Sequence, residues 1–434
     1  MRALVKRLIP KNLFQIIEPY GHLGEAVLFN TLNGFPGRGM KVIGVTGTNG
    51  KTTTSFLIYQ MLHDAGYKVG LMTTVSYGAG DTIRPQIHHM TNVPVTELMH
   101  RLKWMRQRGV KWLVLETTSH ALAQHRVWGV PYSVAVMTNV THEHLDYHKT
   151  FENYRDAKIK LFKHVNRRLS GLRTGIVNAD DPSWRYFADA VPHVVTYGLD
   201  HGELRASDIR STLAGSDFEM TYKNTKLSIH VNLPGSFNIA NALAAAATGV
   251  VLGLTDRQIT DGIAALKSVE GRMATIDEGQ AFSAIVDFAH SPDSFEKLFK
   301  DLKPSVKGKL IVLFGSAGRR DEGKRVEQGA LAGRYADEII ITEEDDRDID
   351  GKQIMDQIAA GAEQAGKVRD ENLFLINDRT QAINFAVNRA GKDDSVLFLG
   401  KGHEKTIERA DGEHPWDEIS TVRQAIRNLT RKTK

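Results

Sequence analysis

The sequence predicts an α/β protein of two domains, each a mostly parallel sheet covered by helices. Three observations carry this. From residue 41 onward, short apolar runs alternate with amphipathic helical stretches, the pattern of strand, helix and strand crossovers. The first run feeds a glycine-bearing turn, Thr46-Gly-Thr-Asn-Gly-Lys-Thr-Thr53. The alternation breaks at Val269-Glu-Gly-Arg-Met273 and then restarts. A chain of 434 residues is also too long for one ordinary core.

The composition narrows the function classes. Charged residues make up 25% and hydrophobic ones 41%, ordinary values for a globular protein. With no cysteine, disulfides, thiolate catalysis and cysteine-held metal centres are excluded, and a reducing cytoplasm is compatible. The net charge of +5 is scattered rather than clustered, which suits anionic substrates better than nucleic acid. No apolar run approaches the ~18 residues of a membrane span. Met1–Pro10 begins like a signal sequence, but Lys6, Arg7 and Pro10 interrupt its apolar core. As a helix it is basic and amphipathic, suited to docking on its own domain or to weak membrane-surface contact.

Residues 1–40 read as a short leader ending in the turn-rich linker Asn33–Gly39. The strand Val42–Val45 then enters the glycine turn, and a helix opens with Ile58, Met61, Leu62 and Ala65 on one face. Glycines let backbone N–H groups approach an anion, the helix N-terminus adds partial positive charge, and Lys51 adds a full one. Thr52 offers a hydroxyl to Mg²⁺. The strict spacing of such loops asks for glycine where Val45 stands, so the loop is a variant, or else a plain strand-to-helix turn. A strand near Val69–Val75, a helix near Val95–Gln107 and strands Trp112–Leu115 and Val134–Thr138 follow.

Ligands of such sheets bind at the carboxyl ends of the strands. Glu116 stands at one, placed to ligate Mg²⁺ or simply to face solvent. Thr138–His148 follows another and packs three histidines and two acids into seven residues, a metal cluster or a polar loop. A helix over Phe151–Phe162 carries Lys158, and a strand near Arg173–Asn178 precedes Asp180 and Asp181. Residues from about His193 to Val231 read as antiparallel strands. Asn238 and Asn241, three apart on an alanine-rich helix, share a face and suit a base edge, with capping as the alternative for Asn238. The second domain has strands near Ala284–Asp287, Leu310–Phe314, Ile339–Thr342, Phe374–Ile376 and Val396–Leu399. Two of these end in glycine-rich polar turns, Gly315–Arg325 and Gly400-Lys-Gly-His-Glu404.

Five motifs in order resemble the Mur ligase family, and within it the MurE branch. They are Thr46–Thr53, Glu116 with Ser119-His120, Asn139 with His144–His148, Asp287-Phe-Ala-His-Ser-Pro-Asp293, and Gly400–Glu404. The resemblance covers nearly everything from residue 41 onward. It implies a central P-loop parallel-sheet ATPase domain over 41–268 and a Rossmann-like domain for the amino acid over 269–434. It also implies an enzyme that uses ATP to add an amino acid, diaminopimelate or lysine, to UDP-N-acetylmuramoyl-L-alanyl-D-glutamate in peptidoglycan precursor synthesis. The expected intermediate is an acyl phosphate.

Residue by residue, the resemblance gives Gly47, Thr48, Asn49, Gly50, Lys51, Thr52 and Thr53 the ATP phosphates. It gives Thr52, Glu116 and His144 two Mg²⁺ ions, and Lys158 a carbamate formed with CO₂ as a further metal ligand. Asn238 and Asn241 fall on the adenine side. Asp287 and His290 contact the nucleotide from the second domain, and Arg272 reaches the γ-phosphate. Lys51, Lys158, Arg272 and His144 are the catalytic set. Thr91, Ser119 and Arg126 face the muramoyl substrate. Arg320, Asp345, Arg347, Gly400 and Glu404 hold the incoming amino acid.

Two departures stand out. The family's Asp-Asn-Pro-Arg signature reads Glu344-Asp-Asp-Arg347 here. Arg347 pulls toward diaminopimelate and the added acids toward lysine; Arg320, Arg347 and Glu404 together tip the expectation to diaminopimelate. MurE proteins also usually carry an N-terminal uridine-binding domain, which forty residues cannot make, and Met90-Thr-Asn-Val-Pro94 departs from the family's paired threonines. A ligase of the same superfamily with another acceptor, such as a folylpolyglutamate synthase, is the alternative, and an ATP-dependent nucleic-acid protein a distant one. Small-molecule substrates, a cytoplasmic monomer, no nucleic acid and no stable membrane insertion are expected.

Overall fold

The computed structural model describes residues 11–86, 88, 90–141, 143–319 and 322–432. Met1–Pro10 lies outside them. The chain divides into two compact units: unit 1 holds Met1–Ile209, Asp217–His230 and Asn238–Leu266, and unit 2 holds Arg210–Ser216, Val231–Phe237 and Lys267–Lys434.

An eleven-stranded sheet carries most of its residues in unit 1. In chain order its strands are β1 (Lys41–Thr46), β2 (Val69–Met72), β3 (Ser76–Ala79), β4 (Thr82–Pro85), β5 (Trp112–Glu116), β6 (Tyr132–Met137), β7 (Thr174–Asn178), β8 (His193–Gly198), β9 (Leu204–Thr212), β10 (Gly215–Tyr222) and β11 (Thr225–Val231). Their spatial order is β11-β10-β9-β8-β7-β6-β1-β5-β2-β3-β4. Central β1 is buried from Val42 to Thr46, which explains its unbroken apolar run. It pairs in parallel with β5 on one side and β6 on the other, so the sheet order reverses at β1. Such a reversal opens a crevice at the strands' carboxyl ends.

The structure corrects the sequence reading at two places. The strand expected over Val69–Val75 stops at Met72, because the Thr73 hydroxyl accepts the Val75 and Ser76 amides at 3.2 and 3.0 Å and turns the chain. The β3–β4 hairpin follows. The antiparallel reading from His193 also fails at β8, which runs parallel to β7 over its length and meets the start of β9 in parallel, Tyr197 beside Leu204 and Gly198 beside Arg205. The short helix Trp184–Ala188 carries the chain back across the sheet and makes that direction available. Strands β9, β10 and β11 are joined by two-residue turns, which only antiparallel neighbours allow.

Ahead of the sheet, helix α1 (Lys11–Leu32) buries Ala26 in the unit 1 core, and the Asn30 amide donates to the Trp128 carbonyl at 3.0 Å. The turns after it are packed too, with Pro36 and Gly37 buried.

Unit 2 holds a six-stranded sheet built from β12 (Ala274–Ile276), β13 (Ser283–Asp287), β14 (Leu310–Phe314), β15 (Glu338–Ile341), β16 (Leu373–Leu375) and β17 (Ser395–Leu399), in the order β12-β13-β17-β14-β15-β16. All neighbours are parallel except β12 with β13. Phe295, Phe299 and Phe314 fill one face in edge-to-face contacts. A separate hairpin, β18 (Thr406–Arg409) with β19 (Gly412–Pro415), follows β17. Among the described residues no helix is long and apolar enough to cross a membrane.

Candidate active site

In unit 1 the site is built where β1 meets helix α2 (Lys51–Asp64). Gly50 caps that helix in the left-handed region at φ 81°, and a Cβ there would lie 2.3 Å from the Asn241 side-chain oxygen. At Gly47 a Cβ would lie 1.8 Å from the Thr138 hydroxyl. Side chains from the next strand end grip the loop. Asn139 Oδ1 accepts the Asn49 amide at 2.9 Å, its Nδ2 donates to the Asn49 carbonyl at 3.1 Å, and Thr138 Oγ1 donates to that carbonyl at 2.6 Å. Lys51 Nζ donates to the Thr48 carbonyl at 2.7 Å, closing the turn on itself. The result is a rigid cradle at a helix N-terminus, the chemistry of a phosphate site.

Thr52 and Glu116 come together beside it. The Thr52 hydroxyl donates to Glu116 Oε2 at 2.9 Å, and the Thr74 amide donates to the same oxygen at 2.9 Å. A buried carboxylate and a hydroxyl next to a phosphate cradle are hard oxygen donors that suit Mg²⁺. Beneath the loop lies Lys158, on helix α3 (Phe151–Arg167). It is 1% exposed, donates to the Gly47 carbonyl at 2.6 Å and stands 4.3 Å above the Tyr154 ring. Burial drives its amine well below the ordinary lysine range, the Lys51 charge adds to this, and Glu143 and Glu116 oppose it. Tyr154 links the two parts through a 3.1 Å contact between its hydroxyl and that of Thr48.

The histidine-rich loop forms a ring cluster. His120 lies 4.8 Å from His144, 4.5 Å from Tyr147 and 5.3 Å from His148, measured between ring centroids. His148 Nε2 meets the Ser119 hydroxyl at 3.0 Å, and His144 is 43% exposed. Among the described residues no three histidines or acids gather closely enough to hold a metal ion; His142 lies outside them. Asn241 donates to Asn238 at 3.0 Å and accepts the Thr54 hydroxyl at 3.1 Å, so both amides are buried against helix α2. Asn238, inside helix α4 (Ser236–Val251), is not its cap.

Asn92 organises the remaining side of this site. Its Nδ2 donates to the Glu116 carbonyl at 2.8 Å, and its Oδ1 accepts the Thr118 amide and hydroxyl, both at 2.9 Å. Thr91 meets the Thr74 hydroxyl at 2.9 Å, and Arg126 donates to the Asn92 carbonyl. Thr91, Ser119 and Arg126 thus surround the strand end that carries Glu116. The sequence reading passed over Asn92 and Tyr154, although Met90–Pro94 drew attention as an unusual stretch.

Unit 2 presents a second constellation. Arg272 lies 4.5 Å from the Phe288 ring, and His290 and His403 pack on the same ring at 4.7 and 4.9 Å. Asp287 accepts the Met273 and Ala289 amides at 2.7 and 2.8 Å. Burial pushes its carboxyl up, and Arg272 opposes the shift. Gly271 must be glycine, since a Cβ would lie 2.1 Å from the His403 amide.

Beyond β15 and β17, Lys401 is 1% exposed and donates to Asp345 at 2.8 Å and Glu404 at 2.6 Å. Arg347, in the left-handed region at φ 59°, pairs with Glu408 at 2.7 Å and donates to the Gly318 carbonyl at 2.7 Å. At Gly400, φ 101°, a Cβ would lie 2.6 Å from buried Glu344 Oε2, an oxygen with no hydrogen-bond partner. Asp346 is pushed up to about 6 by burial and by the neighbouring acids. Arg320 lies outside the described residues. Unit 2 therefore gathers Asp345, Arg347, Gly400 and Glu404 at one sheet end, each acid beside a cation that sequence reading did not assign to it.

Comparison with known proteins finds a family match in each half of the chain. Residues 45–249 match the Mur ligase middle domain and residues 271–402 the Mur ligase, glutamate ligase domain. The chain is 40% identical to a UDP-N-acetylmuramyl-tripeptide synthetase of Roseiflexus, over 95% of this chain and 83% of that protein. It is 37% identical to the UDP-N-acetylmuramoyl-L-alanyl-D-glutamate–2,6-diaminopimelate ligase of Geobacillus thermodenitrificans, over 98% of this chain and 86% of that one. A solved structure of a ligase with the latter name superposes at a TM-score of 0.65 with 30% identity, covering 91% of this chain and 79% of that one. The ADP complex of Thermotoga maritima MurF shares the fold at 0.67 and 18% identity, covering 94% of this chain and 85% of that one. The chain belongs to the Mur ligase family and is an ATP-dependent, ADP-forming acid–amino-acid ligase.

Proposed function

We propose that the chain joins an amino acid to UDP-N-acetylmuramoyl-L-alanyl-D-glutamate, with diaminopimelate favoured over lysine. The names of the 37–40% identical relatives support the acceptor, and Arg347 with Glu404 supports a zwitterionic far end. A folylpolyglutamate synthase superposes at 0.70 but with 15% identity, which supports the fold rather than that acceptor.

The observation that carries the reading is the Lys158 amine, buried 2.6 Å from the Gly47 carbonyl beneath the phosphate cradle. An amine shifted toward its neutral form is a nucleophile toward CO₂. Its nitrogen forms a bond to carbon, loses a proton and becomes a carbamate, an anionic oxygen donor beside Thr52 and Glu116. Bound ATP supplies the phosphoryl group that activates the acceptor carboxylate. Lys51 screens the repulsion between that carboxylate and the phosphates. The Thr52 hydroxyl and the Glu116 carboxylate would hold Mg²⁺, joined by His144.

Lys158→Ala tests the proposal. Turnover is expected to fall at least about a hundredfold, in the range of losing one charge-stabilising group, and added acetate should restore part of it by supplying the missing anion. The ¹³C signal of a carbamate, formed from labelled bicarbonate, should be present in the native enzyme and absent from the variant. Near-normal turnover, or the same signal in both proteins, contradicts the assignment. Phosphate release measured across UDP-muramoyl dipeptide and folates, each with candidate amino acids, identifies the acceptor.

A further inference from the structure

Three links join Glu408 of the β18–β19 hairpin to the loop after β15. Its side chain pairs with Arg347 Nε at 2.7 Å, its carbonyl accepts the Arg347 amide at 3.0 Å, and its own amide donates to Asp345 Oδ1 at 2.9 Å. Arg347 is mostly buried, at 19% exposure, whereas Glu408 is 45% exposed. The carboxylate thus reaches in from the solvent side and covers one edge of a guanidinium whose NH1 already serves the Gly318 carbonyl. An arginine fork binds one carboxylate well because two parallel N–H groups meet two oxygens; a second carboxylate must displace the first.

The surrounding charges sharpen this. Among the described residues, Arg319, Arg347, Lys401, Arg379 and Arg409 face Glu343, Glu344, Asp345, Asp346, Asp348, Glu404, Glu408 and Glu418. Glu343 is matched by Arg409 and Glu418 by Arg379. Glu344 keeps a buried oxygen without a partner. Carboxylates outnumber cations among these residues, and an incoming anion competes with Glu408 for Arg347, while an incoming ammonium does not.

We infer that Glu408 is a specificity-determining residue: an internal carboxylate that occupies Arg347 and must be displaced by the far carboxylate of an incoming amino acid, which handicaps carboxylate-ended substrates against amine-ended ones. This rests on the reading of unit 2 as the amino-acid site. Glu408 sets the margin between diaminopimelate and lysine, and Arg347 provides the attraction. The backbone links of Glu408 do not involve its side chain, so Glu408→Gln keeps the hairpin in place while removing the competing charge.

The test compares KM and kcat for diaminopimelate and lysine in the native enzyme and in Glu408→Gln. The KM for diaminopimelate is expected to fall about tenfold, the scale of one charge-assisted contact. The KM for lysine and both kcat values should stay within about twofold. In an Arg347→Gln background the gain should vanish, because the two residues act through one contact. Equal changes for both amino acids, or no change, overturn the inference. If Glu408→Gln fails to fold, Glu408→Asp, which withdraws the same charge by one methylene, must move the ratio in the same direction. Calorimetric binding of free diaminopimelate separates the two layers. Tighter binding by Glu408→Gln without ligation of these substrates by either protein would keep the gate and reject the proposed acceptor; ligation without a shifted ratio would do the reverse.

Discussion

Lys158 in unit 1 and Lys401 in unit 2 are equally buried, each 1% exposed, yet their environments treat the amine in opposite ways. Around Lys158 burial dominates and Lys51 reinforces it, so the amine is held well below its ordinary range. Around Lys401 burial pulls in the same direction, but Glu404 and Asp345 outweigh it and hold the ammonium above that range. Desolvation is common to both; the partner decides which protonation state survives. A carbonyl and an aromatic face leave Lys158 a chemical group, whereas two carboxylates make Lys401 a structural ion. The loss of turnover expected for Lys158→Ala is the largest consequence of that difference.

The comparison breaks most visibly in stability at Lys401. Lys401→Met would leave the Asp345 and Glu404 carboxylates facing each other, with Glu344 close behind, and no cation between them. Removing one side of a buried pair costs about 3–5 kcal/mol, and the partial exposure of both acids places this case at about 3. Because the chain has two units, the readout should follow unit 2 by itself, through hydrogen exchange of β15 and β17 rather than a single melting temperature. Unchanged protection there would mean that the acids are not held by Lys401.

Much of unit 1 was legible because its information is local. β1 shows its burial as a continuous apolar run, and the following glycines and Lys51 lie within a few residues of it. Lys158 was legible only through family resemblance, since its burial under Gly47 joins residues 111 positions apart. The acids of Glu344-Asp-Asp-Arg347 show the opposite failure. Read along the chain they look like uncompensated charge, yet Lys401, far on in sequence, neutralises Asp345. The parallel direction of β8 was hidden for a similar reason, because the alternation of a strand reports its burial and not its neighbours.

A third base, the half-buried His164, extends the comparison to pH. Burial lowers its imidazole to about 4, with Arg167, His125 and Lys160 adding to the shift. The folded state therefore binds fewer protons than the unfolded chain between pH 4 and the ordinary imidazole value of about 6.5. Stability from this group is complete above pH 6.5 and is lost as pH falls toward 4, by about 2–3 kcal/mol. His164→Gln should flatten unit 1's acid sensitivity over that window, as followed by urea unfolding at stepped pH. An unchanged slope would place the sensitivity elsewhere.

The smallest effect expected is also the sharpest test of the contrast. Lys158→Met removes an amine whose charged form the site already rejects, and replaces it with an unbranched apolar chain of similar length. The losses are one hydrogen bond to the Gly47 carbonyl and the contact with Tyr154, against the gain of burying no polar nitrogen. These terms nearly cancel where the unfolded lysine is neutral too, so unit 1 stability above about pH 10.5 should change by no more than about 1 kcal/mol even though turnover collapses. As pH falls below that value, neutral pH included, the variant should gain stability on the native protein, because the unfolded chain no longer takes up a proton that the folded state disfavours. A loss of about 3 kcal/mol, equal to that at Lys401, would show that Lys158 is a structural ion as well and that the two buried lysines differ less than their surroundings imply.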